Sequence, residues 1–144
     1  MILGTLALLY GRGVPSESKI ATTYVEMKEI KGAFEEATVL NKIAYDIDSA
    51  VLYEEIRIPK AETSTYSSVL GTSSTGDYYY LDFTSSRKLE NALDLENIKN
   101  DYLINIQNME IYSIKGVGVK SGDVIEVKYE FNEIEKYYKN TFKK

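Results

Sequence analysis

The chain has 144 residues, a formal net charge of −5, no cysteine and no histidine. That length fits one domain with a core of its own. The acidic balance argues against binding of nucleic acid, which uses a basic protein face. The missing imidazole and thiol exclude Ser-His-Asp and Cys-His catalysis, disulfides, and the zinc sites that use histidine or cysteine. Any catalysis must come from carboxylates, lysine, tyrosine or a Ser-Lys pair. We expect no cofactor and no metal, and we do not expect an enzyme.

A short apolar run, Ile2–Leu9, opens the chain and is followed by a Gly/Pro break that ends at Pro15. A membrane span needs about 20 apolar residues, so this run cannot cross a bilayer by itself. Two interpretations stay open: a buried first strand or helix turn, or the end of a longer hydrophobic anchor. We assign residues 1–144 to a single domain and set residues 1–15 apart as a candidate remnant of such an anchor.

The strongest pattern in the chain predicts one long helix, from Ser18 to Asp46. Apolar residues recur at gaps of three and four, which places them on one helical stripe, whereas Glu26 and most other charged residues fall off it. Such a helix would be about 40 Å long and would span the whole domain. Ala44 and Ile47 continue the same stripe. The candidate residues for a helix interface come from its earlier part: Ile20, Tyr24, Met27, Ile30, Phe34, Ala37 and Leu40.

The middle of the chain is less regular. The stretch Ser49–Ile58 fits either a strand or the frayed end of the helix, and Pro59 is expected to end it. Lys60–Gly76 is rich in Ser and Thr and predicts a surface loop. A capping serine, Ser85 or Ser86, then begins a predicted short helix over residues 87–95.

Four strands are predicted in the second half of the chain, over residues 77–83, 101–106, 110–114 and 123–131. The last one alternates most clearly, with Ile125, Val127, Tyr129 and Phe131 on its buried face. Gly116, Gly118 and Gly122 are expected to mark turns, and residues 133–144 to form a helix or a frayed end. The fold class is therefore α+β, with the long N-terminal helix packed on a small antiparallel sheet.

Several motifs suggest chemistry but have simpler explanations. The glycines between Lys115 and Asp123 lack the spacing of a phosphate-binding loop. Asp46 and Asp48 lack the ligands that complete a calcium loop. Ser86 and Lys88 are the only tempting Ser-Lys neighbours, and a capping serine beside a solvated lysine explains them. The run Tyr78–Tyr80 suits a sheet edge or a partner interface. No catalytic residue is assigned.

The order of elements resembles that of type IV pilin-like proteins and of the pseudopilins of type II secretion. The local sequence over residues 77–117 is similar to the C-terminal region of pilin-like proteins from Gram-positive bacteria, in which a DYIVN strand precedes an EVY strand and a glycine. Here the corresponding stretches are Asp101–Asn105 (DYLIN) and Glu110–Tyr112 (EIY), followed by Gly116. The family's peptidase cleavage site, and the glutamate at the fifth position of its hydrophobic segment, have no counterpart.

The resemblance implies a pilin-like fold and a non-enzymatic structural subunit, or minor component, of a pilus or pseudopilus. It implies a location in the cell envelope or outside the cell, with self or related pilin-like subunits as partners and a membrane-anchored full-length form. An alternative is a small intracellular binding module, such as a cytoplasmic phage or mobile-element accessory protein, with Ile2–Leu9 as a core strand in the middle of the sheet. A third interpretation is a hydrolase that uses carboxylates.

Overall fold

The computed structural model describes residues 17–71 and 76–142, so the predicted segment Ile2–Leu9 and the candidate remnant 1–15 lie outside it. The described chain contains an N-terminal helix, an antiparallel sheet and a C-terminal helix, which confirms the α+β class. The helices are α1 (Glu17–Val39), α2 (Ser67–Leu70), α3 (Lys88–Ala92) and α4 (Phe131–Phe142). The strands are β1 (Ile43–Tyr45), β2 (Ser49–Leu52), β3 (Ile56–Ala61), β4 (Tyr78–Leu81), β5 (Tyr102–Asn105), β6 (Glu110–Ser121) and β7 (Val124–Glu130).

The sheet has seven strands in the order β1-β2-β3-β4-β5-β6-β7, and each strand pairs antiparallel with its neighbour in the chain. The prediction of a small sheet was wrong, because residues 43–61 add three strands where the sequence was assigned to the helix or left ambiguous. Among the described strands, β2 to β6 are paired on both sides. A further strand can therefore join this sheet only at β1 or at β7.

Helix α1 is shorter than predicted and ends at Val39 instead of Asp46. Asn41 adopts the left-handed conformation, with φ of 56°. The Lys42 N–H then bonds to the Ala37 carbonyl at 2.8 Å, and the Asn41 N–H to the Thr38 carbonyl at 3.1 Å. This pair of bonds is the Schellman motif that closes helices. The 23 residues of α1 give a helix about 34 Å long. Ala44 and Ile47 lie beyond its end, so their placement on the helical stripe was wrong.

The stretch Ser49–Ile58 forms the β2–β3 hairpin, and Pro59 does not end it, because β3 continues to Ala61. The Lys60 N–H points toward β2, where it bonds to the Asp48 carbonyl at 2.9 Å. Successive N–H groups of a strand point to opposite sides. The backbone nitrogen of Pro59, which carries no hydrogen, therefore faces β4. Pairing with β4 begins only at Lys60, so the proline removes no ladder hydrogen bond.

The core lies mainly between one face of the sheet and the helices α1 and α4. Tyr79, Ile104 and Ile111 are aligned across neighbouring strands on this face and are at most 2% exposed. The opposite face carries a smaller cluster of Ala61, Tyr78 and Leu103, against which Val69 and Leu70 of α2 pack. The sheet is thus covered on both faces, more extensively on the α1 side.

The last two strands depart from the prediction in two ways. Strand β6 runs through Gly116 and Gly118, which were expected to be turns, and Gly116 (φ 74°) lies in an irregularity of the pairing between Tyr112 and Val117. The first half of the predicted buried face of β7 is open to solvent, since Ile125 and Val127 are 44% and 38% exposed, whereas Tyr129 is half-buried and Phe131, the first residue of α4, is buried. The alternation was correct as a strand signal, but β7 lies at the sheet edge, so little packs against it.

Candidate interaction surfaces

Six of the seven candidate interface residues of α1 face the protein's own sheet. Ile20, Tyr24, Met27, Ile30, Phe34 and Ala37 are all at most 6% exposed and belong to the main core. Leu40, just beyond the helix, is 52% exposed. Burial of the six stabilises the domain, so α1 can contact a neighbouring molecule only through its other faces.

The opposite face of α1 is exposed along the whole helix. Its exposed residues are spaced three or four apart, so they form one stripe, which we call the outer stripe: Thr22, Val25, Glu29, Gly32, Glu36 and Val39. Val25 and Val39 are 46% and 80% exposed, and a Cβ added at Gly32 would meet no atom within 4 Å. The outer stripe is therefore a shallow ridge with apolar, small and acidic positions.

A groove of about 370 Å³ lies beside the outer stripe, between α1 and residues 96–99. Ala21, Val25 and Ile98 contribute apolar side chains to its lining, and Glu29 lines it as well. The groove is largely open to solvent. An open groove of this kind does not enclose a small molecule as a ligand pocket does.

Glu26 holds residues 96–99, the side of the groove opposite α1, in place. The sequence placed Glu26 off the apolar stripe, on the solvent side, but its side chain is 5% exposed. Its carboxylate accepts hydrogen bonds from the Tyr102 hydroxyl at 2.6 Å, the Lys99 N–H at 2.9 Å and the Asn100 amide at 3.1 Å. Burial, and then the hydrogen bond to Glu26, raise the pKa of Tyr102. These contacts attach the segment that follows α3 to the first helix.

A second set of contacts joins α1 to α4. The Tyr24 ring stacks on Tyr138 at 4.2 Å and on Phe131 at 5.7 Å between ring centroids. Its hydroxyl donates a hydrogen bond of 3.0 Å to Glu135 Oε2. Burial, followed by the Glu135 contact, raises the pKa of Tyr24. The helical period predicted Tyr24 as a core residue, but nothing in the sequence indicated α4 as its partner.

The Tyr78–Tyr80 run is not an edge or an exposed interface, and that expectation was wrong. Strand β4 is the central strand of the sheet, and Tyr78 and Tyr79 are 4% and 2% exposed. The Tyr80 hydroxyl donates to Asp101 at 2.9 Å. Asp101 also accepts bonds from the backbone N–H groups of Phe83 at 2.8 Å and Thr84 at 3.1 Å. Asp101 thus orders the chain between β4 and α3.

The residues considered for metal or nucleophilic chemistry have structural partners. Asp46 bonds to Arg57 at 3.0 Å, and this contact, followed by the Ile47 N–H, lowers its pKa. The Ser86 Oγ accepts the Lys88 backbone N–H at 3.2 Å, but the N-cap residue of the helix is Arg87 and has no side-chain cap, so the prediction of a capping serine was wrong. Across the described ranges, no group of three or more acidic side chains is arranged to hold a metal ion.

No family model, curated protein or solved structure matches the chain. Within residues 17–71 and 76–142, no helix has both the length and the apolar character needed to cross a bilayer. Three surfaces of the described residues are open to solvent and carry apolar side chains: the outer stripe of α1, the groove beside it, and the edge strand β7.

Proposed function

We propose that this chain is a non-enzymatic structural subunit, or minor component, of a pilus or pseudopilus-like assembly, with a pilin-like fold. The observation that carries the proposal is the two-sided character of α1. Its 23-residue length lies on an antiparallel sheet through one buried face, while the outer stripe stays exposed from Thr22 to Val39. A helix arranged in this way stabilises its own domain and offers a continuous ridge to a neighbour.

In this assembly, neighbouring subunits pack helix against helix along the outer stripe. Gly32 at its centre has no side chain and open space around it, which allows a close approach of two backbones. Val25 and Val39 supply apolar contact, and Glu29 and Glu36 select a partner with Lys or Arg at the facing positions. Partners of this chemistry are other copies or related pilin-like subunits.

In the same proposal the apolar run Ile2–Leu9 is the end of a longer hydrophobic segment that anchors the full-length form in a membrane before assembly. The site of action is then the cell envelope or the extracellular space. The first experiment is fractionation of the native producing cells, followed by detection of the chain in the cytosol, in membranes and in filaments sheared from the surface. Recovery in membranes or filaments supports the proposal, whereas recovery in the cytosol alone contradicts it and favours the intracellular binding module.

A second experiment tests the outer stripe directly. Gly32→Arg places a long charged side chain on the ridge, whereas Gly32→Ala adds one methyl group in open space. We expect both variants to fold, Gly32→Ala to enter the sheared filament fraction, and Gly32→Arg to be lost from it. Glu55→Arg introduces the same side chain in the exposed β2–β3 turn and is the matched control. Equal incorporation of Gly32→Arg and Glu55→Arg would show that the outer stripe of α1 is not part of the assembly contact.

A further inference from the structure

Strand β7 has an unusually exposed outer edge. Among the described strands it pairs only with β6, and its side chains Val124, Ile125 and Val127 are 60%, 44% and 38% exposed. The unpaired N–H and C=O groups of an edge strand are a template for another strand, and natural proteins usually protect such edges. A seven-residue edge with three exposed apolar side chains is therefore a candidate for strand pairing between molecules.

The β6–β7 turn determines which backbone groups of β7 point outward. Ser121 pairs with Val124 across a two-residue loop, with Gly122 at φ 64° as the first loop residue. In such a turn the residues that flank the loop bond to each other, so the N–H and C=O groups of Val124 point toward β6. Because the direction alternates along a strand, the groups of Ile125, Val127 and Tyr129 point away from β6.

We propose that two copies of this chain associate by antiparallel pairing of β7 with β7, centred on Val127, so that their sheets join across a twofold axis. In this register Val127 lies opposite Val127 of the second copy, and Ile125 lies opposite Tyr129. These are the residues whose backbone groups point outward, so they can form the hydrogen-bonded pairs of the new ladder. Glu126 then lies opposite Lys128, twice over, because of the symmetry.

Charge selects this register over its neighbours. Shifting the pairing so that its centre falls on Glu126 places two glutamates opposite each other, and a centre on Lys128 places two lysines together, which is unfavourable in either case. A centre on Ile125 brings the turn at Gly122 into the ladder and shortens it, and a centre on Tyr129 shortens it at the other end, because α4 begins at Phe131. The seven-residue strand is therefore complementary to its own reversed copy in the register centred on Val127.

In the single chain, Lys128 and Glu126 form only surface ion pairs, so both can form new ion pairs across the interface. Lys128 Nζ lies 3.0 Å from Glu126 Oε2 and 3.3 Å from Glu133 Oε2, and both glutamates are about half exposed. Such surface ion pairs contribute little and exchange partners readily. A twofold contact closes on itself and does not extend into a fibre. The dimer is therefore independent of the contact proposed for α1, and its failure would leave that proposal unaffected.

The test uses the full chain in sedimentation velocity over a range of protein concentrations. We expect a reversible dimer. Glu126→Lys or Lys128→Glu alone should raise its dissociation constant about tenfold, because each places like charges opposite each other at two symmetric positions. An equimolar mixture of the two variants should form a heterodimer, since each lysine then faces a glutamate. Glu29→Lys, with the same charge change on the outer stripe, should leave the dimer unchanged.

Cysteine cross-linking reads the register directly, because the chain has no cysteine of its own. After oxidation, a mixture of Glu126→Cys and Lys128→Cys should give a disulfide-linked heterodimer, while Glu126→Cys alone should cross-link poorly because its two copies are not opposite each other. Any of three results would overturn the proposal. These are a monomer at all concentrations, equal dimerisation of Glu126→Lys and Glu29→Lys, or cross-linking of Glu126→Cys alone as efficiently as the mixture.

Discussion

The hydroxyl of Tyr102 lies 2.6 Å from Oε1 of Glu26, and the two residues are 0% and 5% exposed. This hydrogen bond joins the first helix to strand β5, across 76 positions of the sequence. The same carboxylate also accepts the N–H of Lys99 and the amide of Asn100. One buried carboxylate thus satisfies three donors, and no neutral apolar side chain can replace it without leaving them unpaired.

Glu26→Ala is expected to lower the free energy of unfolding by about 3 kcal/mol, because hydrogen bonds to a charged group are lost and buried donors are left unsatisfied. Urea denaturation monitored by circular dichroism measures the effect. Glu29→Ala, on the exposed side of the same helix, is the control and should change stability by less than about 0.5 kcal/mol. Similar losses in the two variants would show that the Glu26 contacts contribute nothing specific.

Alkaline pH should destabilise the fold, and Tyr102 should contribute to the effect. Burial and the Glu26 contact raise the pKa of Tyr102 in the folded state. Its contribution is therefore fully present below the unfolded pKa of about 10 and is lost as the pH rises from there toward the folded pKa. Unfolding free energies measured from pH 8 to 11 should fall less steeply for Tyr102→Phe than for the parent chain, and parallel slopes would contradict this.

Two glycines should respond in opposite ways to the same substitution. Gly32→Ala is expected to stabilise the chain by about 0.4–1 kcal/mol, because Gly32 is helical and a methyl group there meets nothing. At Gly116, φ is 74°, and an added Cβ would lie 2.5 Å from Val127 Cγ1 and 2.7 Å from Tyr129 Cε1. Gly116→Ala should therefore lower the free energy of unfolding by more than about 1 kcal/mol. In thermal melts, the melting temperature should rise for Gly32→Ala and fall for Gly116→Ala.

The Tyr24 contacts should control how firmly α4 is held. Tyr24→Ala removes both ring stacks and the bond to Glu135, and truncation of a buried aromatic residue costs about 3–5 kcal/mol. Hydrogen exchange should then show faster exchange of the α4 amides than of the amides in β4 and β5. Val25→Ala, one residue further along α1 but on the outer stripe, should leave α4 protected. Unchanged exchange of α4 in Tyr24→Ala would contradict this role.

The sequence predicted the interior of α1 well and its end poorly. The spacing from Ile20 to Ala37 follows the helical period, and these residues are buried as that period requires. The end depends on a left-handed residue, Asn41, whose conformation is set by the turn into β1 and leaves no clear trace in hydrophobicity. The apolar residues between Ile43 and Ile58 fit a helix and a strand equally, so β1 was assigned to the helix and the stretch from Ser49 to Ile58 stayed open between a strand and the end of the helix.

The surfaces were harder to predict than the elements, because exposure depends on what packs nearby. Alternation in β7 correctly indicated a strand, but only the topology shows that β7 is the last strand and that Ile125 and Val127, which were assigned to its buried face, are open. The role of Glu26 was hidden because its partner, Tyr102, is remote in the sequence. The outer stripe, by contrast, follows from the helical period alone, as the complement of the buried stripe.

The Tyr24–Glu135 bond connects residues 111 positions apart, whereas the sheet pairs only neighbouring strands. During synthesis on the ribosome, successive hairpins can therefore form as they emerge, since they need only short-range contacts. Helix α1 is made early, yet its last packing partner, α4, is made near the end of the described chain. The apolar side of α1 consequently stays without its full cover through most of translation, when a nascent chain is most exposed to chaperones and to aggregation.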